Sequence, residues 1–339
     1  MTVEIDGRPV GLEERPYVVV EVGINARTDV ELAKSFIDAA AEAGADAVKF
    51  QTHMPDEEMV RSEMERLDAG EVYEAVADAT LSAADHRRLQ AHCESVDVTF
   101  LSTPFSAAGV DLLDDLGVPA IKIGSGELTN HEILARAADV GVPLIVSTGM
   151  SERSEIRDTV AFLRDRDVEF VLLYCVSAYP ADPELFNLDL IPELREEFDV
   201  PVGLSDHSLG VGVAPLAMAR GAAVVEKHFT LDRRLPGPDQ SVSIEPDELE
   251  ELVEYSHMAA ATSGDEKPIY QEEAEIREWA GHSVVTTRTI AAGDRIEESD
   301  LTTKRPGTGV PANRFFEVVG RTAVRDLEPN TVLSEDDLS

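Results

Sequence analysis

The chain has 339 residues, 43% of them hydrophobic, which is enough to bury a core larger than a minimal domain needs. Its 67 acidic residues against 29 lysines and arginines give a formal net charge of -38. This charge argues against nucleic acid and anionic membranes as partners, since both require a positive protein surface. Only six of the basic residues are lysines. Acidic excess with few lysines predicts a solvated surface adapted to high salt, a halophilic protein, because salt screens charge repulsion.

The N-terminal sequence MTVEIDGRPV lacks the apolar stretch of a secretory signal. No apolar run approaches the roughly 18 residues that a membrane span needs. The two cysteines do not make the framework of a disulfide-rich secreted protein. We therefore expect a cytoplasmic protein that does not associate with membranes.

The first eleven residues alternate apolar and polar positions around Asp6-Gly7, which predicts a β-hairpin. From residue 17 onward, short apolar runs alternate with amphipathic helical stretches. Eight such strands, each followed by a helical pattern, predict an α/β fold, the (β/α)8 TIM barrel. A doubly wound sheet is disfavoured because no GxGxxG follows the first strand. Strands are predicted at 17–22, 47–50, 98–101, 120–123, 144–146, 170–173, 202–204 and 224–225, and helices at 30–43, 83–95, 132–140, 155–164, 213–220 and 246–262.

After the last barrel helix, a polar stretch and a charged helical piece lead into short β-like runs broken by glycine and proline. We predict a TIM-barrel domain over residues 1–265, including the hairpin, a linker over 266–281, and a small, mostly β domain over 282–339. A linker of this length would let the C-terminal domain reach another subunit.

Polar residues follow all eight predicted strands. In TIM barrels, the carboxyl ends of the strands and the loops after them form the active site. His207 and His228 end neighbouring strands, which lie about 4.8 Å apart. Both imidazoles could therefore bind one divalent metal ion and leave positions open for substrate and water. The alternative is that each histidine is a hydrogen-bonded core residue.

A second predicted feature is an anion pocket. Lys49 and Lys122 lie on the second and fourth strands, and we expect the turns at 124–126 and 147–149 to open helices. Backbone N–H groups at helix starts bind phosphate together with serine hydroxyls. Four of the six lysines fall in motifs near the proposed site, namely Lys49, Lys122, Lys227 and Lys304. Their placement predicts a locally positive pocket in an acidic protein.

Nine motifs resemble those of the sialic acid synthase family, which comprises N-acetylneuraminate synthase and its legionaminate and pseudaminate relatives. They follow the family order over nearly the whole chain, and nine in order are far more specific than any one. The C-terminal segment resembles the family's antifreeze-like (SAF) domain. The motifs are VEVGIN, ADAVKFQ, FLSTPF, KIGSGE, STGMS, CVSAYPA, VGLSDHSLG, EKHFTLDRRLPGPD and KRPGTG.

This resemblance implies a condensation of phosphoenolpyruvate with an N-acetylated hexosamine, either N-acetylmannosamine or a 2,4-diacetamido relative. The products would be phosphate and a nonulosonic (sialic-type) acid. The resemblance also implies a divalent metal bound by His207 and His228, usually Mn2+, with Mg2+ or Co2+ as alternatives. It further implies a homodimer in which the C-terminal domains are swapped between subunits.

The resemblance also assigns roles to single residues. Glu226 would lie beside the metal, where it could activate water. Arg305 would contact the N-acetyl group of the sugar bound to the partner subunit. Catalytic roles fall to Glu21, Lys49, Glu226 and Asp239, phosphoenolpyruvate binding to Lys49, Thr103, Lys122, Ser125, Ser147, Ser177 and Ser205, and sugar binding to Glu21, Tyr179, Asp239 and Arg305.

Two departures from the family pattern leave the acceptor sugar open. Residues 25–28 read Asn-Ala-Arg-Thr instead of Asn-His-x-Gly, and Ser177 replaces an asparagine found in many sialic acid synthases. Two other functions also stay open. One is a class I aldolase in which Lys49 or Lys122 forms a Schiff base with a keto acid, and the other is a sugar- or ice-binding protein without catalysis. Apart from the resemblance, Asp239 is typical of a turn and Arg305 of a surface loop.

Overall fold

The computed structural model of the chain describes residues 2–237 and 239–339; Pro238, in the motif that contains Asp239, lies outside the described residues. Contacts divide the chain into two compact units, Met1–Ser263 and Gly264–Ser339. The segment predicted as a linker contains a helix, Gln271–Ala280, and it groups with the second unit. Among the described residues, no helix combines the length and hydrophobicity needed to cross a membrane.

The chain begins with a hairpin in which β1 (Thr2–Ile5) pairs antiparallel with β2 (Arg8–Gly11). Asp6 and Gly7 between them have positive φ angles of 51° and 74°, as a tight two-residue turn requires. The apolar side of the hairpin packs against inward-facing side chains near the amino ends of the barrel strands. This cluster comprises Val3, Ile5, Val10, Tyr17, Val19, Ala47, Leu101, Ala120, Ile145, Val171, Leu173, Ala223 and Val224.

Within the described residues, eight parallel strands follow the hairpin. They are β3 (Tyr17–Gly23), β4 (Ala47–Thr52), β5 (Thr99–Pro104), β6 (Ile121–Ile123), β7 (Leu144–Ser147), β8 (Phe170–Cys175), β9 (Val202–Asp206) and β10 (Val224–His228). Their order in the sheet is β5-β4-β3-β10-β9-β8-β7-β6, and β5 also packs beside β6. The sheet is therefore a nearly closed, TIM-like barrel, as predicted. Each strand begins within one residue of its predicted start.

Helices surround this barrel. Outward-facing Val18, Val20 and Phe50 pack with the helix residues Phe36 and Leu89 in the main core. The six predicted helices are confirmed to within two residues at each end. In the described part of the first unit, the helices are α1 (Val30–Glu42), α2 (Pro55–Glu58), α3 (Arg61–Arg66), α4 (Gly70–Ala79), α5 (Ala83–Ser95), α6 (Ala107–Leu116), α7 (His131–Val140), α8 (Arg153–Arg164), α9 (Leu190–Phe198), α10 (Ala214–Met218) and α11 (Pro246–Thr262).

The second unit contains helix α12 (Gln271–Ala280) and a two-stranded antiparallel sheet of β11 (Ser283–Thr286) and β12 (Leu301–Lys304). A short helix, α13 (Phe315–Val318), follows. The second unit has a hydrophobic core of its own, formed by Val284, Ile290, Ile296, Leu301, Val310, Val318, Ala323, Leu327, Leu333 and Leu338. This is the small β-rich C-terminal domain that the sequence predicts.

Candidate active site

Polar side chains from the carboxyl ends of the strands line one cavity of about 310 Å³. Because side chains alternate along a strand, Glu226 and His228 of β10 both line the cavity, whereas Lys227 between them does not. By the same alternation, Ser205 of β9 and His207, which directly follows this strand, also line the cavity. Twelve of the fourteen predicted site residues are brought together here, namely Glu21, Lys49, Thr103, Lys122, Ser125, Ser147, Ser177, Tyr179, Ser205, His207, Glu226 and His228.

Lys49 lies in a buried cluster of charges. Its Nζ donates to Thr103 Oγ1 at 3.1 Å, pairs with Glu21, and lies 3.8 Å from Glu226 Oε2. Burial acts to lower the pKa of Lys49, but the two carboxylates outweigh burial and hold the pKa above its usual value. Lys49 is therefore a cation in the folded protein.

Lys122 is the second buried lysine of the cavity. Its Nζ donates to Ser147 Oγ at 2.7 Å and to a backbone carbonyl at 2.9 Å, and lies 3.8 Å from Glu226 Oε1. Ser205 donates to the same carboxylate oxygen at 3.1 Å. Burial acts to raise the pKa of Glu226, but Lys122 and Lys49 outweigh burial and lower it. Glu226 is therefore ionised, and its Oε2 accepts no hydrogen bond from any described residue.

The lining of the cavity combines lysines with acidic side chains. Lys49 and Lys122 share it with Glu21, Glu127 and Glu226. Burial raises the pKa of Glu127 and, against the attraction of Lys49, that of Glu21, so these two side chains compensate the lysines less than Glu226 does.

The other two motif lysines have partners of their own. Lys227 faces away because it alternates with inward residues on its strand, and its Nζ pairs with Asp206 Oδ2 at 2.9 Å. Lys304, in the second unit, donates to Asn330. Each of these two lysines therefore has a polar partner within its own unit.

Serine hydroxyls surround the lysine end of the cavity. Gly149 leaves room for two of them, since a Cβ at this position would collide with Ser177 Oγ and lie 2.7 Å from Ser125 Oγ. The N–H of Gly149 donates to Ser125 Oγ at 3.1 Å. The backbone can approach these two hydroxyls so closely because residue 149 is a glycine and has no side chain.

The prediction that the turns after the fourth and fifth strands open helices is wrong for the α-helices. The first turn forms a single 3₁₀ turn, Ser125–Glu127. Helix α7 begins only after Asn130, whose side chain accepts the N–H of Ile133, and α8 begins at Arg153. Because caps outside the cavity begin these helices, an anion in the cavity would bind lysine and hydroxyl groups instead.

His207 and His228 lie together, with ring centroids 5.5 Å apart. His207 Nδ1 donates to the carbonyl of Val176 at 3.0 Å, so in the neutral form of the ring the lone pair lies on Nε2. Nδ1 of His228 is buried and has no hydrogen-bond partner among the described residues. Burial, helped by the nearby His207 ring and Lys49, lowers the pKa of His228 well below its usual value, so the ring is in the neutral form that binds metals.

The two histidines therefore fit a metal ion as a pair of nitrogen ligands. Over residues 2–237 and 239–339, no group of three or more His, Cys, Asp or Glu side chains has the arrangement of a metal site. The chain would supply two ligands at this position, and water or substrate oxygen would supply the others.

Of the four residues predicted to bind the sugar, Glu21 lines the cavity, and the other three lie in different places. The ring of Tyr179 packs on His207, with centroids 4.1 Å apart. Asp239 is not among the lining residues, but its Oδ2 lies 4.0 Å from His228 Nδ1. Arg305 belongs to the second unit, where its guanidinium lies 5.7 Å from the centre of the Trp279 ring. Its contact with a partner's substrate stays a prediction.

Some lining residues received no role in the sequence analysis. Gln51 comes two residues after Lys49 on β4, so strand alternation alone places it beside Lys49. No sequence pattern indicates that Met150 lines the cavity, because its 75% exposure and positive φ of 60° follow from the loop conformation. The residues without a predicted role are Gln51, Phe105, Glu127 and Met150, and the lining also includes Gly124 and Gly126 of the turn predicted to bind an anion.

Comparison with known proteins matches both units. The NeuB family matches residues 36–268, and the SAF domain matches residues 281–339. An N,N'-diacetyllegionaminic acid synthase from Legionella pneumophila is 38% identical over 340 residues, which cover 96% of this chain and 95% of the relative. The human N-acetylneuraminate-9-phosphate synthase is 33% identical over 340 residues, which cover 97% of this chain and 94% of the relative.

A solved structure agrees with these sequence matches. The crystal structure of an N-acetylneuraminic acid (sialic acid) synthetase from Leptospira borgpetersenii is similar with a TM-score of 0.75 and 32% identity, and the match covers 81% of this chain and 95% of that chain. The resemblance to sialic acid synthases is thereby confirmed, together with the SAF domain. This chain belongs to the NeuB family and is an enzyme of the sialic acid synthase type.

Proposed function

We propose that this chain condenses phosphoenolpyruvate with an N-acetylated hexosamine and releases phosphate and a nonulosonic acid. The observation that carries the proposal is the convergence of Lys49, Lys122 and Glu226 with His207 and His228 in one cavity. The names of the relatives support a sialic-type product, since one is a diacetyllegionaminic acid synthase and another an N-acetylneuraminate-9-phosphate synthase.

Phosphoenolpyruvate would bind at the lysine end of the cavity. The ammonium groups of Lys49 and Lys122 already donate to the hydroxyls of Thr103 and Ser147, which hold them in place. Charged donors of this kind form short, strong hydrogen bonds with phosphate and carboxylate oxygens. The hydroxyls of Ser125, Ser177 and Ser205 line the same cavity and would complete the anion site.

The reaction forms a bond between C3 of phosphoenolpyruvate and the aldehyde carbon of the open-chain sugar. The positive charge that develops at C2 is quenched by a water molecule, which gives one proton to Glu226 and forms a tetrahedral intermediate. That intermediate then breaks its bond to phosphate and becomes the keto acid. The proton on Glu226 passes to the aldehyde oxygen, which becomes a hydroxyl, and the second water proton leaves with phosphate. Glu226 suits this role because it is ionised and has an unused oxygen.

His207 and His228 would hold a divalent cation, Mn2+ or alternatively Mg2+ or Co2+. Such an ion, when bound, supplies Lewis-acid polarisation of a substrate oxygen. The proposal is supported by the unpartnered Nδ1 of His228 within the described chain and by the backbone bond that orients His207. Tyr179 and Asp239 lie against these histidines, so the acceptor sugar would bind beside them.

The class I aldolase alternative needs a lysine that gives up its proton. Lys49 does not suit this role because two carboxylates hold its pKa above the usual value. Lys122, whose pKa is lowered by burial, is the remaining Schiff-base candidate. Borohydride trapping with pyruvate separates the two schemes, since a covalent adduct on Lys122 would contradict the condensation mechanism.

The proposal is tested by phosphate release from phosphoenolpyruvate in high salt with Mn2+. The panel contains N-acetylglucosamine, N-acetylmannosamine, its 6-phosphate and 2,4-diacetamido sugars, because the relatives' products differ in these features. Release that requires both one of these sugars and the metal is the expected result. Phosphate release without sugar, or no turnover with any sugar, would contradict the proposal. If the protein bound a sugar but turned over none of them, a non-catalytic sugar-binding protein would be favoured.

We also propose the swapped homodimer, in which Arg305 of one chain serves the cavity of the other. Two variants test it, His207→Ala in the barrel and Arg305→Ala in the C-terminal domain. Mixing the two inactive proteins under conditions that exchange subunits should restore activity, because one site of each mixed dimer is then intact. If every mixture stayed inactive, or if the enzyme ran as a monomer in light scattering, the swap would be excluded.

A further inference from the structure

A buried histidine–glutamate pair lies beside the candidate active site. His53 and Glu58 have side-chain exposures of 7% and 5%, and His53 Nδ1 lies 2.9 Å from Glu58 Oε1. The other glutamate oxygen accepts the N–H of Met54 at 3.2 Å. The imidazole stacks on Phe105, with ring centroids 4.3 Å apart and an interplanar angle of 8°. The pair is therefore fixed on several sides, and Phe105 in turn lines the cavity.

The pair reaches the cavity through Gln51. His53 Nε2 lies 2.8 Å from Gln51 Oε1, and Gln51 Nε2 donates to Glu21 Oε1 at 2.7 Å. Glu21 in turn pairs with Lys49. A continuous chain of polar contacts therefore runs from Glu58 through the imidazole and the amide to the buried lysine.

The direction of each hydrogen bond follows from the groups themselves. Glu21, which pairs with Lys49, accepts from Gln51 Nε2, so Gln51 presents its NH2 group to Glu21 and its carbonyl oxygen to His53. His53 must then donate from Nε2. Its Nδ1 faces a carboxylate oxygen of Glu58, and a proton must lie between these two atoms. Whichever of the two partners holds the shared proton, Nε2 of His53 is the donor to Gln51.

We infer that His53 and Glu58 are positioning residues that fix the amide of Gln51 and, through it, the carboxylate of Glu21. Without the Nε2–H donor, the amide is free to turn over and place its oxygen against Glu21, where two acceptors repel each other. Glu21 would then lose a partner on the side facing Gln51. The inference rests on the proposed function, in which Glu21 faces the acceptor sugar. The pair should therefore affect use of the sugar far more than binding of phosphoenolpyruvate.

Three variants separate this role from simple packing. His53→Phe keeps a ring stacked on Phe105 but removes both ring nitrogens. His53→Gln returns a donor near the position of Nε2. His86→Phe is the matched control, because His86 is also buried and its ring nitrogens lie 3.0 Å from Thr52 Oγ1 of the same strand and 3.0 Å from the carbonyl oxygen of Ser82, instead of against the side-chain amide of Gln51.

We expect His53→Phe to lower kcat/KM for the sugar by about 10- to 100-fold, with KM for phosphoenolpyruvate within about two-fold of wild type. His53→Gln should recover most of the loss, and Glu58→Gln should fall between wild type and His53→Phe. His86→Phe should lower the melting temperature but leave both kinetic constants unchanged. An unchanged sugar constant in His53→Phe, or equal changes for both substrates, would overturn the inference.

A second readout does not depend on turnover. In protein labelled with 15N-histidine, the His53 ring, assigned by its loss in His53→Gln, should carry a proton at Nε2, the nitrogen that faces Gln51. A wild-type spectrum with no proton at Nε2 would overturn the inference. If the wild-type enzyme released no phosphate with any sugar, the proposed function would fail while this spectrum still decided the hydrogen-bond chain.

Discussion

Lys227 and Asp206 form an ion pair buried between β9 and β10, with Nζ and Oδ2 2.9 Å apart and side-chain exposures of 1% and 0%. Lys227 also donates to the carbonyl of Ser208 at 2.7 Å, and the N–H of Ser208 donates to Asp206 Oδ1 at 2.8 Å. These bonds connect the two strand ends that carry His207 and His228. The pair therefore holds the histidine-bearing ends in place from outside the cavity.

Replacing Lys227 by Met would leave the Asp206 carboxylate buried without its cation. We expect the free energy of unfolding to fall by about 3–5 kcal/mol, because an unpaired buried charge is strongly destabilising. The double variant with Asp206→Asn should regain part of this loss. The control is Arg136→Met, which breaks an exposed pair with Asp111 and should change stability by no more than about 1 kcal/mol. Similar losses for both single variants in denaturant unfolding would refute the role of burial.

Removing one imidazole should abolish the proposed metal site. We expect His207→Ala to lose turnover and Mn2+ binding, measured by electron paramagnetic resonance, while circular dichroism stays that of the folded protein. A chelator should have the same effect on the wild-type enzyme and be reversed by Mn2+. The control is His92→Ala, since His92 pairs with Asp38 on the surface and should keep both properties. Manganese-dependent turnover in His207→Ala would refute the ligand assignment.

Glu226→Gln should lower kcat by about 10²- to 10⁴-fold, the usual contribution of a general base. The substitution keeps the size of the side chain but removes the charge that lies between Lys49 and Lys122. Binding of Mn2+ should be unchanged, which separates loss of the base from loss of the metal. A variant that turns over within about ten-fold of wild type would show that another group activates the water.

Alkaline pH should destabilise the fold through two buried acids. Burial raises the pKa of the Cys93 thiol from 9.0 to about 12 and that of Tyr17 from 10.0 to about 12. Above their usual pKa values these groups lose protons in the unfolded chain but keep them in the folded protein. The free energy of unfolding then falls as pH rises, by up to about 1.4 kcal/mol per pH unit for each group.

Two variants check this assignment by denaturant unfolding across the alkaline range. Cys93→Ala should flatten the fall from about pH 9 upward, and Tyr17→Phe only from about pH 10 upward, one unit later. Equal slopes in wild type and Cys93→Ala between these values would rule out the thiol as a source of the pH dependence.

Low salt should destabilise the protein because its net charge is -38. The Debye length rises from about 3 Å at 1 M salt to about 10 Å at 0.1 M, so carboxylates repel one another over longer distances. We expect the melting temperature to fall, and KM for phosphoenolpyruvate to rise, as salt is lowered over this range. A KM that did not change with salt in a folded enzyme would contradict the expected effect of the acidic surface on substrate binding.

The barrel could be predicted because each strand is an apolar run and most surrounding helices have a buried stripe. Helices α2 to α4 could not be predicted in this way, because they have no buried stripe: Tyr73 and Ala79 are the residues buried in them. Strand alternation would also have shown that Lys227 faces away from Glu226 and His228. Position within a strand thus carried more information about the site than membership of a motif.

Other parts of the site depend on three-dimensional contacts that spacing does not encode. His53 meets Glu58 because the short helix α2 turns the chain back toward β4, and nothing in the composition of that loop signals the turn. The prediction that α-helices begin directly after the fourth and fifth strands was wrong for a related reason. Intervening residues up to Asn130 and Glu152 supply the caps, so the helices begin away from the cavity.

Glu226 lies 3.8 Å from the ammonium group of Lys49 and 3.8 Å from that of Lys122. This carboxylate is a counterion to both cations within the protein. Under the proposed function, the anionic groups of phosphoenolpyruvate would replace part of the electrostatic partnership that Glu226 provides. Binding would then exchange one ion partner for another instead of pairing two free lysines, so the site would hold phosphate less tightly and phosphate would leave after each turnover.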